Sequence, residues 1–93
     1  MEALMYIEYT VSFWKEGNQI VGHAMPIDVM SCGYTQSEAE DALDDAVRVF
    51  VDRAQEMGTL EEVLAECGYE RTAEGWIIPE RPVEKQRLMV MSA

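Results

Sequence analysis

The segment Cys32-Gly33-Tyr34-Thr35-Gln36-Ser37-Glu38-Ala39 constrains this chain more than any other, because it must carry an extended stretch into one long helix. Gly33 is free to adopt φ > 0, so the backbone can turn sharply at that point. Thr35 followed three residues later by Glu38 is a capping box, in which hydroxyl and carboxylate satisfy the first free N–H groups of a helix. Beyond it Ala39, Ala42, Leu43, Ala46, Phe50, Ala54 and Met57 recur at helical spacing. The pattern predicts a helix over 37–57 with Gly58 as its C-terminal stop.

Upstream, residues 5–13 alternate: Met5, Ile7, Tyr9, Val11 and Phe13 share one face and Tyr6, Glu8, Thr10, Ser12 and Trp14 the other. That is a strand with one face in a core. Lys15-Glu16-Gly17-Asn18 carries turn chemistry, residues 19–25 resume as a second strand, and Pro26 ends it by removing a backbone donor. A short third strand fits 29–32. Downstream, Thr59-Leu60-Glu61-Glu62 reads as a second capping box opening a short helix that Gly68 closes. Residues 69–71 and 76–78 are extended around an Ala73-Glu74-Gly75 turn, and 84–91 forms a last strand. The expected architecture is a two-layer α+β domain over residues 1–93, with a core at 4–57 and an extension at 59–93.

With 93 residues the chain is one small domain, and 48% hydrophobic residues give it enough apolar surface to fold. Eighteen Asp plus Glu against seven Lys plus Arg give a formal charge of −11. Nucleic-acid binding needs clustered positive charge, so direct binding to RNA or DNA is not expected. An acidic surface suits a basic protein partner, whose approach it accelerates. Cys32 and Cys67 match no zinc or redox spacing, and no apolar run is long enough for a signal peptide or a membrane span. The expected setting is a reducing cytoplasm with both thiols free.

Chemistry is sparse. The single histidine, His23, falls in the second strand, either on the outer sheet face or as partner to a core polar group. Cys32 is expected to be buried packing, with nothing basic near it in sequence to activate it. Gly22 and Gly33 fit neither a dinucleotide nor a P-loop pattern. No catalytic residue, cofactor or metal ligand is expected. The candidate binding residues are Trp14, as an aromatic anchor, with the helix carboxylates Asp41, Asp44, Asp45 and Asp52.

A hairpin, a third strand, and then Gly-x-Thr-x-x-Glu-Ala opening a long helix resembles the HicB-type antitoxin family. The matching residues are Gly33, Thr35, Glu38 and Ala39, preceded by Pro26, and the resemblance spans roughly residues 4 to 57. It implies a β-β-β-α-β core of partial ribonuclease H-like fold. It also implies a non-enzymatic role: neutralising a small, basic ribonuclease toxin of the HicA type, with no cofactor. The alternative is a self-associating structural or regulatory module of the same fold without a toxin partner. A homodimer is expected, built partly from the sheet edge at 84–91.

Overall fold

The computed structural model describes residues 4–79 and 86–92. Strand β1 (Leu4–Glu16) is the organising element, thirteen residues long, and it turns at Gly17 into β2 (Gln19–Met25) as a hairpin in which Phe13 pairs with Gly22 and Glu16 with Gln19. Strand β3 (Val29–Gly33) lies antiparallel on β2, with Val21 opposite Cys32. Helix α1 (Gln36–Met57) and the short α2 (Leu60–Glu66) follow, and then β4 (Glu70–Arg71), β5 (Gly75–Ile77) and β6 (Gln86–Ser92). The order is β3-β2-β1-β5-β4, with β6 also on β1.

Ile7 pairs with Trp76 of β5 and with Met89 of β6, so those two strands take opposite edges of β1. Strand β6 therefore continues the edge that β2 occupies farther along, running antiparallel from Leu4 opposite Ser92 to Thr10 opposite Gln86. The last strand is thus present, and one of its two sides is taken by β1 of its own chain. Its expected start at Glu84 lies outside the described residues.

The odd-numbered face of β1 meets the helices, as its alternation predicts. Ile7, Tyr9 and Val11 are buried with Leu43, Val47, Val51, Leu60, Leu64, Tyr69 and Trp76 in one core, and Phe13 packs at its margin. The mixed α+β class is as expected. The helix stripe is displaced from its expected position, however. Ala39, Leu43, Val47, Val51 and Ala54 are buried, Ala42, Ala46 and Phe50 are half-buried, and Met57 is exposed. Apolar residues cover more than half of this helix's circumference, so periodicity alone could not choose the buried line; the row at i, i+4 with its two valines sits against the sheet.

Both ends of α1 are capped. Thr35 has extended backbone angles and its Oγ1 accepts from the Glu38 N–H at 3.1 Å, while Gly58 closes the other end in the left-handed region. Gly33 departs from the expected reason for a glycine, because its φ is not positive. A Cβ there would lie 2.6 Å from the Ala39 nitrogen and 2.7 Å from the Glu38 Cβ, so the glycine is needed for close approach of strand to helix. The second capping box does not form. Thr59 makes no side-chain cap on α2; its N–H and hydroxyl both donate to the Ala54 carbonyl, at 2.9 and 3.5 Å. With one residue between Gly58 and α2, Thr59 is occupied by the end of the preceding helix.

The extension is tied to β1 by side chains as well as strands. The buried Tyr69 hydroxyl donates to the Glu8 carbonyl. Arg71 stacks on Trp76 with its guanidinium carbon 5.4 Å from the ring centroid and pairs with Glu61 at 3.1 Å, so α2 and the β4–β5 hairpin are clasped together. Burial, with Cys67, Glu8 and Tyr9 nearby, holds the Tyr69 phenol well above its ordinary value of 10.0. A raised native value means that only the unfolded chain releases this proton first above pH 10. The Tyr69 contribution to stability is therefore complete below pH 10 and is lost as pH rises beyond it. Tyr69→Phe is expected to cost about 1 kcal/mol at neutral pH and to flatten the fall in stability above pH 10. Urea titrations of both proteins at pH 7 and 11 check this; parallel losses between the two pH values would contradict it.

Candidate functional site

The sequence-derived binding residues fall on two opposite sides of the domain. On α1, Asp41, Asp45 and Asp52 are exposed and lie within about 40° of arc at ~100° per residue, directly opposite the buried line. They span roughly 16 Å along the axis at 1.5 Å per residue. The exposed Arg48 and Glu56 flank them. The helix is held at both caps and along its whole buried row, so these carboxylates project from a rigid element.

Asp44 does not belong to that line. It is half-buried on the flank of the helix facing β1, and its Oδ1 accepts a hydrogen bond from the buried Tyr9 hydroxyl at 2.9 Å. The expectation of four equivalent exposed carboxylates is thereby corrected to three. Tyr9 sits in the core by its ring and needs a polar partner for its hydroxyl, and Asp44 provides one.

Trp14 lies on the even-numbered face of β1, turned away from α1. Its ring meets His23 edge-on, with centroids 6.3 Å apart and planes at 84°. His23 is on the outer sheet face, the first of its two expected placements, and its Nε2 lies 2.6 Å from Asp28 Oδ1. Val21, Met25, Met30 and Cys32 share this face by strand register, and Trp14, Met25 and Met30 are 37, 43 and 53% exposed. Cys32, expected to be buried, is exposed, because the face it occupies at the sheet edge is not covered. No single footprint brings Trp14 together with the helix carboxylates.

Farther along the same sheet face the surface changes character. Glu8 and Thr10 are buried although polar, and the Ile78 N–H donates to Glu8 Oε1 at 3.4 Å. Beside them a cleft of about 260 Å³ is lined by Tyr6, Glu8, Thr72, Glu74, Gly75, Trp76 and Ile77. Among the described residues no three His, Cys, Asp or Glu side chains are placed to hold a metal ion. No described helix is long and apolar enough to cross a membrane. The open apolar patch was partly legible beforehand, since Val21, His23 and Met25 alternate in β2; Met30 and Cys32 lie in a strand too short for alternation to be read. Searches of protein-family models, curated proteins and solved structures found no match to this chain.

Proposed function

We propose that this chain is a cytoplasmic, non-catalytic, antitoxin-like protein that binds and neutralises a small basic ribonuclease of the HicA type. The observation that carries the reading is the line Asp41, Asp45 and Asp52 on a doubly capped helix, in a chain of net charge −11. Three strands leading through Gly33, Thr35, Glu38 and Ala39 into α1 support it, by their likeness to the partial ribonuclease H-like core of HicB-type antitoxins.

On this reading the ribonuclease presents lysines and arginines that otherwise engage RNA phosphate. The three carboxylates occupy those cations, and the rest of the contact excludes RNA from the same surface. The chain itself binds no nucleic acid, because its charge repels phosphate. A tagged copy co-expressed with a small basic ribonuclease of the HicA type from the same genome is expected to co-purify at a fixed ratio and to restore growth that the basic protein alone arrests. Absence of both a complex and growth rescue would overturn the reading.

A further inference from the structure

The sheet covers one apolar row of α1 and leaves a second beside it. At ~100° per residue, Val49, Ala42, Ala46, Met57 and Phe50 follow one another across about 100° of the helix surface, between the acidic line and the buried row. Ala42, Ala46 and Phe50 are half-buried. Val49 and Met57 are 63 and 70% exposed, two of the three most exposed large apolar side chains among the described residues. We propose that this strip receives one helix of the basic ribonuclease, with that helix's apolar row on Ala42, Ala46, Val49 and Met57 and its lysines or arginines on the carboxylates alongside. The inference rests on the function proposed above and names the part of the partner that α1 takes.

Charge fixes the kind of occupant. Val49 is bordered by Asp45 four residues before it, Asp52 three after it and Glu56 seven after it, all exposed. An apolar strip with carboxylates along one border fits an apolar strip with cations along the facing border. A second copy of the chain brings its own acidic line and a further −11, and is repelled from this face. The exposed Arg53 lies within the strip, where its stem adds apolar surface and its guanidinium calls for an oxygen acceptor on the partner. Arg48 lies on the far side of the acidic line, away from the strip.

Backbone chemistry selects a helix. Between its Thr35 and Gly58 caps α1 bonds its own N–H and C=O groups, so it offers no ladder to an extended segment. A partner helix arrives with its backbone already bonded. The strip runs roughly 22 Å from Ala42 to Met57 at 1.5 Å per residue, about four turns, and the two alanines let the axes approach toward the short end of the ~8–10 Å range. Val49 is β-branched and holds one preferred rotamer in a helix, so burying it costs little side-chain freedom.

Stopped-flow displacement of a purified HicA-type ribonuclease from variants of the full chain tests this. Val49→Asp is expected to speed dissociation about tenfold or more while leaving association within about twofold of wild type, since it adds negative charge. Val49→Ala, which favours the helix and removes only apolar contact, is expected to speed dissociation about threefold. Gln55→Asp adds a carboxylate at an exposed site on the other side of the acidic line and is expected to change neither rate by more than about twofold. Circular dichroism shows that each variant remains folded. A photocrosslinker at position 49 is expected to capture residues spaced three or four apart on one ribonuclease helix. A wild-type chain that forms no complex defeats the functional reading and this inference with it. A wild-type complex that neither Val49 variant weakens, or that Gln55→Asp weakens equally, overturns the inference alone, as does capture confined to a strand or loop. So does sedimentation in which Val49→Asp breaks a dimer of the chain while ribonuclease binding is unchanged, which assigns the strip to a second copy.

Discussion

Gly75→Ala is expected to destabilise the chain by about 3 kcal/mol or more, enough to leave a domain of this size largely unfolded. Two costs coincide at this position. A Cβ on residue 75 would stand 2.0 Å from the Tyr6 carbonyl oxygen and 2.5 Å from the Tyr6 nitrogen, both backbone atoms of the central strand. The φ of +154° is also one that residues with a side chain rarely adopt. Relief requires β5 to move away from β1, which breaks the parallel pairing of Tyr6 with Gly75 and of Ile7 with Trp76 and uncovers the buried Trp76. Gly17→Ala is the matched comparison, having φ of +60° with nothing within 4 Å of its Cβ, and should cost only about 1 kcal/mol. Urea denaturation of the two variants separates backbone strain from steric contact. A Gly75→Ala protein as stable as Gly17→Ala would show that β5 does not sit against β1 as described.

Reversing the outer line of α1, as Asp41→Lys, Asp45→Lys and Asp52→Lys together, is expected to slow association with the proposed basic ribonuclease by about 10- to 10³-fold and to flatten its salt dependence. The three positions are exposed and make no hydrogen bond or ion pair among the described residues, so the variant should keep its thermal stability to within a few degrees. Asp44 provides the contrast. Because it accepts the Tyr9 hydroxyl at 2.9 Å, Asp44→Ala should cost about 1 kcal/mol of stability and change association less than any one of the three reversals. Stopped-flow mixing at two salt concentrations reads both effects. A triple variant that associates at the wild-type rate would remove electrostatic steering from the account.

Local patterns in the sequence were sufficient where a feature is made by neighbours along the chain. The alternation of β1, the turn at Gly17, the Thr35 cap and the Gly58 stop each depend on a few adjacent residues, and each appears where it was expected. The Thr59-to-Glu62 pattern looks the same locally and fails, because Thr59 is already engaged by Ala54, a residue of the previous helix. Tertiary placement was less legible. Val47 and Val51 displaced Ala42, Ala46 and Phe50 from the helix's buried line because both rows are apolar and only the sheet distinguishes them. The partner of β6 is some eighty residues distant, and nothing in its own residues names β1.

The candidate site was legible as residue types and not as a surface. Trp14 and the helix carboxylates are separated by the sheet itself, a consequence of strand parity: position 13 packs toward Leu43 and position 14 must then face the other way. Asp44 was indistinguishable from Asp45 in the sequence, since their difference is made by Tyr9, 35 positions away. The composite site thus resolves into an acidic helix face and a separate sheet face around Trp14 and His23.

The most direct test of the central claim is an RNA-cleavage titration, in which a purified basic ribonuclease of the proposed HicA type is held fixed while the chain is added. The account predicts that cleavage falls linearly to zero and stops at a fixed molar ratio, and that the triple Asp41, Asp45 and Asp52 reversal shifts the curve to higher concentration. Cleavage that continues undiminished at a tenfold excess of the chain would contradict it.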